Sequence, residues 1–376
     1  MKILYTTEYS GPNICGVWTR VKNEIEYMAK QGHQIIIFST DINKDGGSLL
    51  PYERMAENIH VYRFKPMFRL SENASWWANG DFKEKIKALS PDIIICNTYR
   101  HLETSVCLDI AEKLNIPCCL VTHAPFLESG VRSKALSVAT WLYDRLFCRL
   151  NQFSKIFAIS KWEIPYLLNL GAKNEKIIYV PNALPNKLLE SDNKAYQKGN
   201  KLLFLGRITP IKDIPTLLNA LSLGSSEKRH ITLAGPIDKE YKKKLNQMYK
   251  HIDWHEPIYD IDEKIKLIEQ HDIFILPSKR EGMPQALLEA MARGKIIISS
   301  RNQGALEIVN GTNGFLFDIG NPEQLYKQLC QINSMTEEEL QRISESARQT
   351  AMEFAASKIY PRTEEIYLSL ISNKNK

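Results

Sequence analysis

The chain has 376 residues, of which 44% are hydrophobic and 24% are charged, and its formal net charge is +6. This length exceeds what one ordinary core needs, so two domains are expected, and the composition excludes a largely disordered or fibrous protein. The mildly basic balance comes without a recognisable nucleic-acid-reading motif, so nucleic acid is not an expected partner.

The seven cysteines include no C-x-x-C pair, and several lie in apolar runs such as DIIIC and PCCLV. This usage favours buried, reduced thiols in a cytoplasmic protein over a disulfide framework or a zinc site. No apolar run approaches the roughly 18 residues that span a bilayer. The protein is therefore expected to be soluble, or at most to lie on a membrane surface.

Short apolar runs alternate with amphipathic segments along the first half of the chain. KILYTT, HQIIIFST, DIIICN, CCLVTH and KIFAIS are predicted to be strands. VKNEIEYMAKQG has helical periodicity and is predicted to end at Gly32. Continuous apolar strands separated by helices are typical of a parallel sheet covered on both faces.

The same alternation begins again after residue 200, with KLLFLG, HITLAG, DIFILPS, KIIISS and GFLF as predicted strands. The predicted fold class is α/β, with Rossmann-like, doubly wound domains at 1–182 and 200–355. A proline-containing, polar stretch predicts a linker at 183–199. Residues 356–376 are predicted to form a last helical segment, which Pro361 would kink or break.

Ligands of open α/β sheets bind beyond the carboxyl ends of the strands, so the loops that follow strands are candidate sites. The first such loop carries Gly16 before a helix, which suits backbone contact to a phosphate, although such a loop taken alone is more often just a turn. The loop after KLLFLG carries Arg207 and Lys212. Two cations beside a helix start can clamp a diphosphate, and a solvated loop is the alternative.

The stretch SKREGMPQALLEAMARGK, residues 278–295, follows the strand DIFILPS. Glu281 and Gly282 are predicted to lie in the loop, Pro284 suits the first turn of the next helix, and Glu289 lies on that helix. The helix dipole explains Glu289 by stability alone. It does not explain the combination of Glu281 with Gly282, Met283 and Pro284, which indicates ligand contact.

REGMPQALLEAMARG contains two glutamates separated by seven residues. This pattern resembles the signature of retaining glycosyltransferases of family 4, which have the GT-B fold. LGRITPIKDIPTLLNAL resembles the arginine–lysine loop of that family. AISKWEIPYLLNLGAKNEKIIYVPNAL and SRNQGALEIVNGTNGFLF resemble its segments before the linker and after the next strand. The resemblance implies two domains facing across a cleft, the first binding the acceptor, with the C-terminal helix crossing back to the first domain.

The resemblance also implies roles for single residues. Arg207 and Lys212 would hold the donor diphosphate and stabilise its charge as it leaves, so no metal is expected. Glu289 would bind the ribose hydroxyls, and Glu281 would bind hydroxyls of the transferred sugar. His123, at the end of CCLVTH, is similar to a family histidine near the reacting sugar, although a lone histidine at a strand end is more often structural. Further donor contacts are expected from Gly16, Gly235, Ile258, Gly282, Met283 and Pro284.

The sequence departs from the family pattern at three dipeptides. None of the departures removes a charged group. The chain has Cys15-Gly16 where Gly-Gly is frequent, Lys212-Asp213 where Lys-Gly is common, and Asn182-Ala183 where Asn-Gly is common.

The D-x-D sequence in YDIDEK resembles a metal-binding motif of another glycosyltransferase fold. Asp260, three residues before Glu263, is instead expected to cap a helix.

Two segments bear on the acceptor. Residues 130–150 mix Arg132, Lys134, Arg145 and Arg149 with apolar residues at roughly helical spacing. This pattern fits a helix that rests on an anionic membrane, and it equally fits a helix packed on the first sheet. The pair Trp76-Trp77 fits either a membrane or acceptor contact or internal packing.

The predicted function is transfer of a sugar, of the hexosyl type, from a nucleotide-sugar to a hydroxyl acceptor. A UDP-sugar is the expected donor, a glycan or lipid-linked glycan is the expected acceptor, and retention follows from the resemblance. The enzyme is expected in the cytoplasm, at most peripheral on the cytoplasmic face of a membrane. The alternatives are a GT-B sugar-nucleotide epimerase and a non-catalytic sugar-nucleotide-binding subunit.

Overall fold

A computed structural model divides the chain into two compact units. The first unit comprises Met1–Ala183 and Ser357–Lys376, and the second comprises Leu184–Ala356. The structure describes residues 1–13, 15–44, 46–71, 74–125, 138, 140–142, 144–145, 149–190, 198–224 and 229–374.

The first unit contains an eight-stranded sheet in the order β10-β9-β8-β7-β1-β2-β4-β3. All neighbours pair in parallel except β3 and β4. A separate two-stranded hairpin contains β5 and β6. The strands are β1 Lys2–Thr6, β2 Gln34–Thr40, β3 Tyr52–Ala56, β4 Ile59–Phe64, β5 Phe68–Ser71, β6 Ala74–Trp76, β7 Ile93–Asn97, β8 Cys118–Val121, β9 Lys155–Ala158 and β10 Ile177–Tyr179.

Helices connect the parallel strands of this sheet. The first helix begins where the Cys15 sulfur accepts a hydrogen bond from the Trp18 amide at 3.3 Å. It is followed by Gly32, whose φ of 83° is the left-handed conformation typical of a helix end, as predicted. The helices are α1 Gly16–Lys30, α2 Gly80–Leu89, α3 Leu102–Leu114, α4 Ile164–Asn169 and α13 Ala356–Lys374.

The second unit contains a six-stranded, wholly parallel sheet in the order β13-β12-β11-β14-β15-β16. Its strands are β11 Leu202–Leu205, β12 Ile231–Ala234, β13 Ile252–His255, β14 Ile273–Leu276, β15 Ile296–Ser300 and β16 Phe315–Phe317. Its helices are α5 Asn186–Leu189, α6 Ile214–Ser222, α7 Lys239–Met248, α8 Ile261–Glu269, α9 Gln285–Ala292, α10 Gln303–Ile308, α11 Pro322–Ser334 and α12 Glu337–Met352.

Residues 184–190 and 198–199 of the predicted linker belong to the second unit, whereas Ala183 belongs to the first. The Leu184 amide donates to the Phe354 carbonyl at 2.7 Å, and Arg293 Nη1 donates to the Leu188 carbonyl at 3.3 Å. Backbone groups held in this way form part of a packed domain rather than a free connection. Residues 191–197 of the predicted linker lie outside the described part of the chain.

The C-terminal helix α13 is anchored within the first unit. Tyr367 donates to Glu24 Oε1 at 2.7 Å, and His33 Nε2 lies 2.6 Å from Glu364 Oε1. The helix continues through Pro361, so the expected break there is wrong. Burial of Tyr367, which is fully enclosed, holds the turns that follow the proline.

The tryptophan pair is resolved in favour of internal packing for Trp77. Its side chain is fully buried and lies against Phe64 and Phe82. Its indole N–H donates to Glu8 Oε2 at 3.2 Å. Trp77 therefore does not form an exposed membrane or acceptor contact, because its ring is part of the hydrophobic core of the first unit.

The expected burial of thiols holds for four of the described cysteines, Cys96, Cys107, Cys118 and Cys119. Cys330 is exposed. These cysteines are all free, as the sequence predicted for a reduced protein.

Candidate functional site

The loop between β11 and α6 carries the two predicted phosphate-binding cations. Arg207 is exposed, and Lys212 ends a short 3₁₀ turn, Pro210–Lys212. Asp213 has a φ of 50°, the left-handed conformation that favours glycine, and its Oδ2 accepts a hydrogen bond from Thr216 Oγ1 at 2.8 Å. Aspartate tolerates this conformation better than most residues. The departure from the Lys-Gly pattern is therefore compatible with a left-handed turn here.

The structure brings Lys212 and Glu281 into direct contact although 69 positions separate them. Lys212 Nζ lies 2.6 Å from Glu281 Oε1, and the two side chains are 20% and 12% exposed. Such charge-assisted hydrogen bonds are stronger than neutral ones. The contact joins the loop after β11 to the loop after β14, and it places a cation beside a carboxylate.

Buried polar contacts hold the loop that carries Glu281. Ser300 Oγ and Asn302 Nδ2 donate to the Ser278 carbonyl at 2.5 Å and 3.2 Å. Asn302 also caps α10, because its Oδ1 accepts from the Ala305 amide. The position of Glu281 is thus set by the end of β15 and by the start of α10.

Gly304, in the first turn of α10, packs directly on the same loop. A Cβ atom there would lie 2.7 Å from the Gly282 carbonyl oxygen and 2.8 Å from that of Glu281. These separations are shorter than van der Waals contact, so a larger residue would displace the loop. The sequence resemblance covered this segment but gave Gly304 no role.

Glu289 forms the second ion pair of the site. It lies on α9, its side chain is 5% exposed, and its Oε1 lies 2.9 Å from Lys264 Nζ. A surface glutamate that only interacts with the helix dipole would remain solvated, whereas this one is buried and paired. Lys264 was missed by sequence reasoning, because nothing in the pattern of α8 shows which lysine faces α9.

Asp260 caps α8, as predicted. Its Oδ1 accepts hydrogen bonds from the amides of Asp262 and Glu263 at 2.8 Å and 3.1 Å. This cap fixes the first turn of the helix that carries Lys264. The carboxylate is therefore used in helix capping, the role expected for it instead of metal binding.

The remaining predicted donor contacts of the second unit lie on loops of the same sheet. Ile258 is half-buried between β13 and α8, and Gly282 is half-buried beside Glu281. Met283 is 7% exposed, and Pro284 is buried at the position that precedes α9.

Close approach of the backbone at Gly206 explains why position 235 is a glycine. Its φ is 137°, and a Cβ atom there would lie 2.2 Å from the Gly206 carbonyl oxygen. The ends of the paired strands β11 and β12 therefore approach each other too closely for any side chain. This contact accounts for the glycine without a ligand, so its role as a donor contact stays a prediction.

The second unit thus contains paired cations and carboxylates in the loops that follow β11 and β14 and on the helices α8 and α9. Lysine and arginine bind phosphate oxygens, and an ionised carboxylate accepts hydrogen bonds from hydroxyl groups. A ligand that carries both phosphates and hydroxyls matches this chemistry.

In the first unit, His123 stands directly after β8 in a strained turn. Its φ is 54° and that of Ala124 is 52°, while Thr98 and Arg100, in the loop after the neighbouring β7, have φ values of 103° and 70°. Left-handed non-glycine residues cost energy and concentrate at functional sites. Four of them follow the carboxyl ends of β7 and β8, which makes this end of the sheet a candidate functional region.

The imidazole of His123 contacts the end of β7. Its Nε2 lies 3.1 Å from Asn97 Oδ1, and the assignment of Oδ1 as acceptor makes Nε2 the protonated nitrogen. Burial lowers the pKa of His123 well below its usual range, and the positive charge of Arg20 adds to the shift. His123 is therefore neutral at physiological pH.

Glu163 holds the turn at His123 and Ala124 by hydrogen bonds. Its Oε2 accepts hydrogen bonds from Thr122 Oγ1 and from the Ala124 amide, the latter at 3.1 Å. Its Oε1 accepts from the Ser160 amide at 3.0 Å in a capping box. Burial raises the pKa of this carboxyl to about 7, although these donors oppose the shift.

This raised pKa predicts a pH dependence of stability. The folded protein holds the proton of Glu163 up to about pH 7, whereas the unfolded chain releases it near pH 4.5. The free energy of unfolding should therefore fall by at most about 3 kcal/mol as pH rises through this window. Chemical denaturation of wild type and Glu163→Gln at several pH values measures the difference, with the exposed Glu175→Gln as control. If the difference in free energy of unfolding between wild type and Glu163→Gln stays constant between pH 4.5 and 7, the raised pKa of Glu163 is contradicted.

Gly16 is the first residue of α1. A Cβ atom there would meet no heavy atom within 4 Å. Neither packing nor a left-handed backbone requires glycine at this position.

The predicted amphipathic segment is described only in part. Val138, Trp141 and Leu142 are 63%, 60% and 46% exposed, and the Arg145 guanidinium lies 5.8 Å from the Trp141 ring centroid. Spacings of three and four place these side chains on one helix face. Arg132 and Lys134 lie outside the described residues. Within the described part of the chain, no helix has the length and apolarity that crossing a bilayer requires.

Comparison with known proteins follows the two-unit division. Residues 14–186 match glycosyltransferase family 4, and residues 185–350 match glycosyl transferases group 1. An uncharacterized glycosyltransferase of Methanocaldococcus jannaschii is 26% identical over 362 residues, which cover 88% of this chain and 89% of that protein.

Solved structures share the fold over nearly the whole chain. Sucrose-phosphate synthase from Thermosynechococcus elongatus superposes with a TM-score of 0.78 and 15% identity, covering 99% of each chain. HepE from Anabaena, solved in complex with UDP-glucose, gives a TM-score of 0.76 and 18% identity over 98% of this chain and 100% of that one. The predicted α/β architecture with two Rossmann-like domains is confirmed. The chain is a glycosyltransferase with the GT-B fold and belongs to the group 1 glycosyltransferase family.

Proposed function

We propose that this enzyme transfers a sugar of the hexosyl type from a nucleotide-sugar, with a UDP-sugar as the expected donor, to a hydroxyl group of a glycan or lipid-linked glycan. The observation that carries the proposal is the 2.6 Å contact between Lys212 Nζ and Glu281 Oε1. It joins a group suited to phosphate with a group suited to sugar hydroxyls. A fold relative solved with UDP-glucose adds support for the donor class.

Each predicted donor residue of the second unit has a chemical role in this proposal. Arg207 and Lys212 bind the diphosphate, Arg207 as a planar fork and Lys212 as a point charge. Glu289 accepts hydrogen bonds from the ribose hydroxyls, and Glu281 accepts them from the transferred sugar. The backbone of 282–284 and the N-terminus of α9 support the sugar and its phosphate.

The proposed reaction retains the anomeric configuration. The bond between the anomeric carbon and the diphosphate oxygen breaks, and the acceptor oxygen forms its bond on the same face of the sugar. The acceptor proton passes to the leaving diphosphate. Lys212 and Arg207 stabilise the negative charge that develops on this diphosphate, which lowers the barrier to departure.

We propose that no metal binds the diphosphate, because two side-chain cations supply the positive charge that a divalent ion would supply.

In the first unit, Gly16 is proposed to leave room for a phosphate group, and neutral His123 is proposed to contact the transferred sugar. Gly235, Ile258 and Met283 are proposed as additional donor contacts.

Lys264 should position the ribose-binding carboxylate. Lys264→Met removes the partner of Glu289 at 2.9 Å while keeping the length of the apolar stem. Ribose contacts are formed equally in the ground state and in the transition state. We therefore expect the donor KM to rise about tenfold while kcat changes by less than about twofold. Steady-state kinetics measure both, and the exposed Lys266→Met on the same helix is the control. A fall in kcat with KM unchanged would place Lys264 elsewhere in the mechanism.

The exposed face of Val138, Trp141, Leu142 and Arg145 is proposed to contact an anionic membrane on its cytoplasmic face, where a lipid-linked acceptor is accessible. Trp141→Ser should reduce binding to phosphatidylglycerol-containing vesicles by about tenfold, because the indole supplies the largest apolar surface. Co-sedimentation measures binding, and exposed Leu223→Ser in the second unit is the control. Equal binding by Trp141→Ser and wild type refutes the contact.

The proposed function is tested by a donor panel. Wild-type protein is incubated with UDP-, GDP- and ADP-sugars and a mixture of free and lipid-linked glycan acceptors. Nucleotide release and thermal stabilisation are recorded, and NMR identifies the product. A glycoside that retains the donor's anomeric configuration supports the proposal. An altered sugar-nucleotide formed without an acceptor indicates an epimerase, and binding without turnover indicates a non-catalytic subunit. Folded protein that responds to no donor contradicts the proposal.

A further inference from the structure

Two buried carboxylates and a partly exposed histidine meet in the first unit, at the carboxyl ends of the strands that also lead into the strained turns. Glu8 follows β1, and His101 and Glu103 stand at the start of α3, after the adjacent strand β7. Their potential ligand atoms all lie within 4.8 Å of one another. The donor proposal uses none of these three residues.

Glu103 is enclosed without hydrogen-bond partners. Its side chain is 1% exposed, and neither of its carboxylate oxygens has a hydrogen bond of acceptable geometry. His101 Nδ1 lies 3.2 Å from Oε1, but this approach does not meet hydrogen-bond geometry. A buried carboxylate without partners costs several kcal/mol unless a charge compensates it.

Glu8 brings a second carboxylate to the cluster. It is also buried, at 4% exposure, and its Oε2 accepts a hydrogen bond from the indole N–H of Trp77. Two carboxylates thus face one imidazole. A divalent cation would neutralise both carboxylates and leave the imidazole uncharged.

The distances suit ligands around a single ion. His101 Nδ1 lies 3.2 Å from Glu103 Oε1 and 3.9 Å from Glu8 Oε2. Ligand atoms about 2.1 Å from a common metal are separated by roughly 3–4 Å, depending on the bond angle. The three side chains therefore need little movement to coordinate one ion.

The local backbone also leaves His101 available as a ligand. His101 is the N-cap residue of α3, but its side chain forms no capping hydrogen bond. The side chain is 13% exposed, which gives an ion a route from solvent.

We propose that Glu8, His101 and Glu103 form a binding site for one divalent first-row transition cation, of the Mn²⁺ or Zn²⁺ class. Two carboxylates and one imidazole suit these ions better than Ca²⁺ or Cu⁺. The ion would link the segment after β1 to the start of α3 and stabilise the carboxyl ends of β1 and β7. The proposed donor site uses none of these residues, and the existence of the ion does not depend on the proposed transfer reaction.

In the alternative arrangement, the His101 imidazole is protonated and the cluster binds no metal ion. Burial lowers the pKa of His101, but the charges of Glu103 and Glu8 outweigh burial and raise it. An imidazolium between two carboxylates would need no cation. This rival predicts that the protein binds neither metal at the cluster.

The test is cation binding by full-length protein that has been treated with EDTA and desalted. Titration with MnCl₂, followed by the EPR signal of free Mn²⁺, measures stoichiometry and affinity, and ZnCl₂ is tested by displacement. We expect one site per chain, a ¹⁴N modulation from imidazole in the pulsed EPR spectrum, and an increase in Tm of a few degrees with saturating metal.

Two variants and one control make the result specific. Glu103→Gln and the less buried His101→Gln should each weaken binding by at least about tenfold, and His101→Gln should also lose the ¹⁴N modulation. Glu112→Gln, an exposed carboxylate on the same helix α3, should bind like wild type. Circular dichroism establishes that each variant folds.

Loss of binding in either folded ligand variant, with retention in Glu112→Gln, supports the site. Failure of wild type to bind either ion overturns the proposal in favour of the protonated cluster. Unchanged binding in both ligand variants also overturns it, because the ion would then lie elsewhere. All of these readouts are independent of glycosyl transfer, so failure of the donor proposal would leave them unchanged.

Discussion

Replacing Lys212 by alanine should lower kcat for glycosyl transfer by about 10²–10³-fold. The ammonium is proposed to bind the donor diphosphate, and its charge would matter most when the leaving diphosphate becomes more negative. The free energy of unfolding should fall by only about 1–2 kcal/mol, because its partner Glu281 keeps partial contact with solvent at 12% exposure. Steady-state kinetics with the best donor and a thermal melt measure the two effects.

Lys279→Ala is the matched control for this variant. Lys279 is 50% exposed and lies 3.6 Å from Asp213, so it is a nearby cation outside the Lys212–Glu281 pair. Its removal should change kcat by less than about threefold. Parallel losses of activity and stability in Lys212→Ala, or equal losses of activity in both variants, would reduce Lys212 to a structural role. Added Mg²⁺ or Mn²⁺ should not restore Lys212→Ala, since no metal is proposed at the diphosphate.

Replacing Glu281 by glutamine should lower kcat by about 10²-fold. Glutamine preserves the size of the side chain but weakens both the attraction to Lys212 and the acceptance of sugar hydroxyl groups. The loop should stay folded, because backbone contacts to Ser278 and the packing of Gly304 hold it independently of the carboxylate. Exposed Glu263→Gln in the same unit is the kinetic control.

The pair should also be coupled. In the double variant Lys212→Ala/Glu281→Gln, the loss in kcat/KM should be at least about tenfold smaller than the product of the two single losses. The reason is that each single change already disrupts the contact at 2.6 Å. A double variant whose loss equals that product would mean that the two side chains act independently.

The apolar strands were predictable from sequence because burial on both faces leaves an uninterrupted run. KIIISS and DIFILPS, for example, become β15 and β14. The strand β3, Tyr52–Ala56, was missed because all its residues are exposed at an edge of the sheet, so no apolar pattern marks it. The helix does not break at Pro361 because its buried tertiary contacts outweigh the local preference of proline.

The residues of the candidate site were predictable from the sequence, but the contacts between them were not. Arg207, Lys212, Glu281 and Glu289 were selected from loops after strands and from family resemblance. That Lys212 contacts Glu281 depends on how the loops after β11 and β14 fold toward each other, which no spacing in the sequence encodes. Lys264 was unpredictable for the same reason, since its partner comes from another helix.

The buried cluster of Glu8, His101 and Glu103 had no sequence signature. Its residues come from two loops, and their spacing matches no metal motif that sequence reading uses. Only the parallel pairing of β1 with β7 brings the loops together. No metal was expected from the sequence, and the cation site proposed in the first unit departs from that expectation. For the donor diphosphate, the expectation that no metal is needed remains a proposal.

Lys212, Glu281 and Glu289 of the second unit are proposed to bind the nucleotide-sugar donor. Isothermal titration calorimetry of UDP, and of the best donor from the panel, into wild type, Lys212→Ala and Glu289→Gln measures this binding. We expect one site in wild type and at least about tenfold weaker binding in each variant. Equal affinity in all three proteins would contradict it.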